Sequence, residues 1–293
     1  MENRYGVLDK LHVTVLVEDY AGYDSDLLAQ HGVCFLLETE YAKGKKTILF
    51  DAGQSAGPVL NNMEKLSKNP DDVDLVFLSH CHNDHTGGLA GFLAASSRSR
   101  IPVIAHPEIY RSNFAVKPDF RTFGMSPENS PGAVMKAGGE LLPIADSLPL
   151  APGILTTGEI RERAAFEKKP TLTLLTLQEG KMVRDLMTDD ISLIFILNQG
   201  LVIVTGCSHA GIISILQTAV SITGINHVAA VIGGFHLIDA GGDRVRKTVE
   251  EMKTFSVDKI YTGHCTGLKA EAGLLQEYGS SFKKLRTGLT IEF

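Results

Sequence analysis

Histidine and aspartate are concentrated in one short stretch, residues 80–85, which reads His-Cys-His-Asn-Asp-His. His80 and His82 are two positions apart, so an extended backbone directs both side chains the same way. Asp84 and His85 follow where the chain turns, so they can face a second position close by. Imidazole nitrogens and a carboxylate clustered in this way are typical of a transition-metal site, whereas an isolated histidine usually has a structural role.

Three later segments also place histidine directly after an apolar run. They read Gly-Cys-Ser-His-Ala-Gly at 206–211, Gly-Gly-Phe-His-Leu at 233–237 and Thr-Gly-His-Cys-Thr-Gly at 262–267. In an open α/β sheet, the polar groups of a site gather outside the carboxyl ends of neighbouring strands. We therefore expect these histidines to converge with residues 80–85 on one site.

The elements that must position these residues follow from the spacing of apolar residues and from turn signals. Strands are predicted at 11–17, 32–38, 47–53, 73–79, 101–106, 154–160, 171–177, 191–197, 201–205, 228–232, 259–261 and 286–291. Helices are predicted at 56–68, 87–95, 212–223, 244–255 and 268–278. Between them, Gly, Pro and Ser recur over residues 112–163, which predicts a loop-rich insertion or lid within a single domain, 1–293.

Together these motifs resemble the metallo-β-lactamase superfamily. The resemblance implies an α/β fold, an αβ/βα four-layer sandwich of two mixed β-sheets flanked by helices. It also implies two divalent metal ions, zinc first, with iron or manganese as alternatives. The three later segments are similar to a branch described as metal-dependent hydrolases, several of them 7,8-dihydropterin-6-methyl-4-(β-D-ribofuranosyl)-aminobenzene-5′-phosphate synthases of methanopterin biosynthesis.

The resemblance implies two sets of ligands. The first is His80, His82 and one later histidine, and the second is Asp84, His85 and His264. Most family members place a histidine before the hairpin at 191–205 and a bridging aspartate at its end. Here the place before the hairpin holds Asp190 with no histidine, and its end holds Cys207, whose thiolate is a competent zinc ligand. We expect His209 to complete the first set, with Cys207 and Asp190 as alternatives.

Other residues of these loops are candidates for catalysis and substrate binding. His236 can act as a ligand, a general acid or a donor to a substrate oxyanion, and the simpler alternative is a structural histidine in a tight turn. Gly233 and Gly234 would let backbone N–H groups approach an anion. Asp84 is expected to hold a metal and to accept a proton from the nucleophile. Asp51 is expected to orient a metal-bound imidazole or to cap a turn.

Composition and charge narrow the function classes. Apolar residues make up 44% of the 293 residues, and the formal net charge is −6 without any Lys/Arg-rich run, so no nucleic-acid partner is expected. Neither a signal pattern nor an apolar run of transmembrane length is present, so no membrane partner is expected. The four cysteines are scattered, which fits free thiols in a reducing compartment. We expect a cytoplasmic protein that acts on a small molecule, as a monomer or a homo-oligomer.

These observations predict a binuclear metal-dependent hydrolase or a pterin-transferring synthase. Its metals would activate water or stabilise a leaving group on a small substrate that bears phosphate or carboxylate. The alternative is an RNase Z-like phosphodiesterase or nuclease, which the acidic balance and the absence of a basic arm disfavour. A redox enzyme of the flavodiiron kind would need an attached flavin domain, for which 293 residues leave no room.

Overall fold

Residues 4–168 and 173–293 are described by the computed structural model of the protein. Runs rich in Val, Ile, Leu and Phe form most of its strands, because branched and aromatic side chains pack well on a pleated surface. In chain order the strands are β1 (Lys10–Val17), β2 (Cys34–Tyr41), β3 (Gly44–Phe50), β4 (Leu75–Phe77), β5 (Ile101–Ala105), β6 (Phe114–Ala115), β7 (Arg121–Thr122), β8 (Gly139–Pro143), β9 (Pro149–Ala151), β10 (Ile154–Thr156), β11 (Leu175–Gln178), β12 (Lys181–Arg184), β13 (Leu193–Leu197), β14 (Gly200–Val204), β15 (Val228–Gly233), β16 (Val257–Thr262), β17 (Phe282–Lys284) and β18 (Thr290–Glu292).

Helices lie between many of these strands. The α-helices are α1 (Ala56–Lys65), α2 (Asn83–Thr86), α3 (Leu89–Ala95), α4 (Pro131–Lys136), α5 (Ile212–Thr223), α6 (Gly242–Met252) and α7 (Leu268–Tyr278). Short 3₁₀ helices occupy Pro70–Asp72, Pro107–Tyr110, Pro127–Asn129, Lys253–Phe255, His264–Thr266 and Gly279–Ser281. None of the helices in the described ranges is long and apolar enough to cross a membrane.

Two seven-stranded mixed sheets form the centre of the fold. Their strand orders are β18-β1-β2-β3-β4-β5-β8 and β17-β16-β15-β14-β13-β10-β9. The first sheet is parallel from β3 to β8, and the second is parallel from β14 to β17. Parallel neighbours need a crossover connection, which most of the helices supply. A smaller sheet, β12-β11-β6-β7, lies outside both.

The sheets pack on each other through a buried apolar cluster. Phe35, Phe50 and Phe77 stack with ring centroids 5.9 and 5.3 Å apart, and they share this cluster with Phe195 of the second sheet. Because side chains alternate along a strand, the neighbouring Leu36 faces the other way, into a second cluster with α1 and α3. Helices α5, α6 and α7 cover the second sheet similarly. This order of layers confirms the predicted four-layer α/β fold.

Some boundaries differ from the prediction, each for a local reason. The helix predicted at 87–95 begins two residues later, as α3, and the short helix α2 before it was not predicted. Between the two helices, Gly87 and Gly88 lie against the 52–54 backbone, where a Cβ would be about 2.1 Å from a carbonyl oxygen. The last strand, predicted at 286–291, begins only at Thr290, because a turn at Gly288, which has a φ of +78°, precedes it. Of the strand predicted at 171–177, residues 171 and 172 lie outside the described residues.

The segment 112–163 contains more regular structure than its composition predicts. Strand β8 extends the first sheet, β9 and β10 extend the second, and α4 packs beside β8. These strands are three to five residues long and contain Gly139, Pro143 and Pro149, so they show no clear alternation. That part of this segment acts as a lid stays a prediction.

Candidate metal centre

The candidate ligands lie at the carboxyl ends of four parallel strands, β4 of the first large sheet and β14, β15 and β16 of the second. After β4 the chain bends at residues 80 and 81, and His82 is again extended, with φ and ψ of −62° and 140°. The single-turn helix α2 then turns the chain back, so that the rings of His80 and His85 lie 4.2 Å apart. Residues that are adjacent in sequence thus face two neighbouring positions, as the spacing predicts.

Three buried histidines converge on the first position. The ring centroids of His80, His82 and His209 lie 4.6 to 4.9 Å apart, and the Nε2 atom of each is buried without a hydrogen-bond partner. Burial lowers the pKa of His82 to about 4 and holds the pKa values of His80 and His209 well below the ordinary value, so all three rings are neutral. Three lone pairs without partners in a buried space are costly unless a cation binds them.

A second set of donors lies beside the first. The ligand atoms of Asp84, His85, Cys207 and His264 all lie within 4.8 Å of one another. Asp84 Oδ2 is 3.3 Å from His264 Nε2 and 3.5 Å from His85 Nε2. Burial alone would raise the pKa of Asp84, but the two neighbouring histidines outweigh it and hold the pKa well below its ordinary value. The carboxylate is therefore ionised and available to a cation.

Cys207 connects the two sets. Its Sγ lies 3.0 Å from His85 Nε2, and it also groups with His80 and His209 within 4.8 Å. Burial raises the pKa of this thiol, so a bound cation is needed for the thiolate to prevail. The structure thus places both Cys207 and His209 at the centre, and the two are not exclusive alternatives.

Asp190 lies outside these donor groups. Its Oδ2 accepts a hydrogen bond of 2.7 Å from the backbone N–H of Ala210, and it is fully buried. Burial raises the pKa of Asp190 to about 7. The carboxylate therefore holds the loop that carries His209, which explains why an acidic residue stands here without belonging to a donor group.

His236 lies close to the centre, beside His209. Its ring is 4.1 Å from the ring of His209, and it groups with Cys207 and Cys265 within 4.8 Å. The two preceding glycines are explained by close packing: a Cβ on Gly233 would meet Thr205, and the N–H of Gly234 is donated to a backbone carbonyl. A role of these glycines in anion binding stays a prediction.

In two of the candidate histidine ligands, the Nδ1 atom donates a hydrogen bond to a carboxylate. His85 Nδ1 donates to Asp51 at 2.6 Å, and Asp51 also accepts from the N–H and the hydroxyl of Ser79 at 2.7 Å. His264 Nδ1 donates to Asp19 at 2.9 Å. Such bonds fix the tautomer and leave Nε2 free to bind a metal. Of the two roles predicted for Asp51, the structure shows the orienting one.

Comparison with known proteins agrees with this arrangement. Residues 29–159 match the family described as Metallo-beta-lactamase superfamily. The 7,8-dihydropterin-6-methyl-4-(beta-D-ribofuranosyl)-aminobenzene-5'-phosphate synthase of Methanocaldococcus jannaschii is 44% identical over 290 residues, 98% of each chain. The chain belongs to the metallo-beta-lactamase superfamily. Membership implies bound metal ions, and the buried, unpartnered Nε2 atoms of His80, His82 and His209 fit them.

Two solved structures show the same fold. A metal-dependent hydrolase of the beta-lactamase superfamily has a TM-score of 0.80 at 24% identity, over 97% of this chain and 99% of its own. Zinc-bound PqqB from Methylobacterium extorquens has a TM-score of 0.54 at 11% identity, over 96% and 99%. These likenesses establish the four-layer architecture around the centre.

Several residues near the candidate metal centre were not predicted from the sequence. Asp19 and His31 form a third group with His264, and His31 Nε2 is 3.5 Å from Asp84. Asp19 lies two residues after the end of β1, so it follows a strand as the predicted histidines do. Arg111 and Asp189 lie deeper and carry no such signal, because their partners are distant in sequence.

Asp51 provides a first test of the orienting bonds. Asp51→Asn is expected to lower metal affinity about 10- to 100-fold, since an amide holds the His85 ring less firmly and no longer raises its basicity. Metal retained after dialysis against graded chelator measures the change. Asp258→Asn is the matched control, because Asp258 pairs with His227 at 2.8 Å on the surface. Equal metal affinity in both variants would contradict the role of Asp51.

Proposed function

We propose that the protein is a metal-dependent synthase that joins a dihydropterin to 4-(β-D-ribofuranosyl)aminobenzene 5′-phosphate. The 44% identity to the M. jannaschii synthase, over 98% of both chains, carries this proposal. A likeness of that extent includes all four donor-bearing loops and the surfaces around them. A hydrolase of small anionic substrates is the coarser alternative on the same centre.

The side chains at the centre suit two divalent cations. In this proposal one set of ligands is His80, His82 and His209, the other is Asp84, His85 and His264, and Cys207 serves either. Imidazole and thiolate donors favour zinc, and iron or manganese are alternatives. These cations would supply Lewis acidity that offsets the charge of a leaving diphosphate.

The chain's own groups provide orientation and proton transfer. Joining the two substrates breaks the C–O bond between the pterin methylene and a diphosphate and forms a C–N bond to the aminobenzene nitrogen, which loses a proton. Asp84 is the most exposed member of its set, with 16% of its side chain exposed, so its carboxylate can accept that proton. His236, at the other side, can donate to oxygen as negative charge develops. The remaining donors are buried and keep water from the centre.

Metal removal tests the proposal. Protein treated with chelator is expected to lose product formation from the dihydropterin diphosphate and the aminobenzene phosphate, and added Zn²⁺, Fe²⁺ or Mn²⁺ should restore it. Mass spectrometry of the joined product and a diphosphate assay are read together. Diphosphate release without joined product would replace the synthase by a hydrolase. Neither product with any of the metals would refute both.

A further inference from the structure

A cavity of about 510 Å³ opens beside His264, at the end of β1 and the start of α7. His264 and Asp19, which orients it, both lie in its wall, so the cavity borders the candidate metal centre. Its volume lies in the range of small-molecule sites. The remaining lining comes mainly from Glu18, Tyr20, Leu268, Glu271 and Lys284.

Part of this wall suits a flat ring. Tyr20 and Leu268 leave 46% and 80% of their surface exposed, which offers an aromatic face and an aliphatic side chain to a ligand. Aromatic faces stack on planar heterocycles whatever their substituents, so this pair favours a ring without specifying it.

The polar groups of the cavity determine which hydrogen-bonding groups the edge of that ring must carry. Glu271 is nearly buried, and its Oε2 accepts from Lys284 Nζ at 2.8 Å, while Lys284 itself lies 5.9 Å from the centre of the Tyr20 ring. A carboxylate accepts two neighbouring N–H donors, and an ammonium donates to a carbonyl. A 2-amino-4-oxo pyrimidine edge, as in a pterin, presents adjacent N–H groups beside a carbonyl oxygen.

The charge of the cavity disfavours the phosphate and diphosphate groups of the substrates. Three acidic side chains, those of Glu18, Asp19 and Glu271, line the cavity together with one lysine, Lys284, and with His264, which Asp19 already binds. Phosphate and diphosphate groups would meet like charges here, whereas the cations proposed next door would attract them. The acidic cavity is thus suited to the neutral, donor-rich end of a substrate.

We propose that this cavity binds the pterin ring, with Glu271 accepting from its amino edge and Lys284 donating to its carbonyl oxygen. This inference rests on the proposed function. It also orients the reaction, because the pterin methylene then points from the cavity past His264 toward the metal centre.

Binding of 6-methyl-7,8-dihydropterin to the full chain, measured by calorimetry under nitrogen, tests the assignment. Glu271→Gln is expected to weaken binding about 10- to 100-fold, the range for losing hydrogen bonds to a charged group. Glu277→Gln is the matched control on the same helix, since Glu277 pairs with Lys253 at the surface, and it should bind normally. Tyr20→Leu, at a half-exposed position that does not endanger folding, should weaken binding about two- to tenfold.

The outcomes separate this inference from the proposed function. Unchanged pterin affinity in both Glu271→Gln and Tyr20→Leu would overturn the assignment, even if the enzyme makes joined product. Absence of pterin binding to the wild type would overturn it as well, as would stronger binding of inorganic diphosphate that Glu271→Gln abolishes. Pterin binding that depends on Glu271, in a protein that forms no joined product, would support the cavity and refute the synthase.

Discussion

Replacing His82 by alanine is expected to remove metal from the centre and to lower turnover about 10³-fold or more. The His82 Nε2 atom has no hydrogen-bond partner in the folded protein. The centroid of the His82 ring lies 4.6 Å from that of His80 and 4.7 Å from that of His209. Without it, the first set loses one of its three imidazoles, and the several kcal/mol of Lewis-acid stabilisation that the cation supplies are lost. Metal content by elemental analysis and product formation measure the two effects.

His227→Ala is the control for this substitution. His227 lies on the surface, where it pairs with Asp258, so its loss should change neither metal content nor turnover. The cavity assigned to the pterin is lined by other residues, so His82→Ala should still bind the pterin. Full activity in His82→Ala would mean that the centre is elsewhere.

Arg111→Met is expected to destabilise the fold by about 3–5 kcal/mol, the cost of leaving buried charges without their partner. Arg111 is nearly buried and binds Asp185 with two nitrogens, at 2.8 and 3.1 Å, and Asp189 at 2.7 Å. Asp189 in turn accepts the backbone N–H of Cys81 at 2.7 Å, between the two histidines of the first set. The substitution should therefore also loosen the loop that carries His80 and His82. Denaturant unfolding and metal content report the two consequences.

A surface ion pair of similar length provides the comparison. Arg161 lies 2.7 Å from Asp146, but both side chains are well exposed, so water screens the attraction. Arg161→Met should leave unfolding and metal content as in the wild type. If Arg111→Met unfolds at the same denaturant concentration as Arg161→Met, the buried pair does not stabilise the protein. Normal metal content in folded Arg111→Met would show that Cys81 needs no such support.

The fold and the main donors were predictable because their signals are local. Strands are followed within a few residues by histidine or cysteine at residues 80, 207, 236 and 264, and these four loops lie at the centre, whereas His106 after β5 belongs to no donor group among the described residues. Helices α5 and α7 begin and end as predicted, since their apolar spacing is regular and glycines stand at their ends. The arrangement of these strands and helices in four layers was predicted from the family resemblance.

What was missed depends on contacts between distant residues. The orienting bond from His264 to Asp19 spans 245 residues, and the bond from Cys81 to Asp189 spans 108. No spacing rule relates such positions. Asp190 is an example of a residue that sequence reasoning overestimates. Its residue type suggests a metal ligand, whereas in the structure its carboxylate accepts a hydrogen bond from the N–H of Ala210. Strands as short as β9 and β10 are stabilised by the sheet that they join, which their own sequences do not record.

The connection of the donors across both sheets has a consequence for how the chain folds. His85 and Cys207 touch although 122 positions separate them, so neither set is complete until the halves of the chain have docked. Contacts at that separation form late and slowly. A nascent chain therefore exposes its early histidines long before they can chelate, and metal capture follows the docking step. A cation held only by the finished centre stabilises the docked state, so resistance to unfolding should rise with metal concentration.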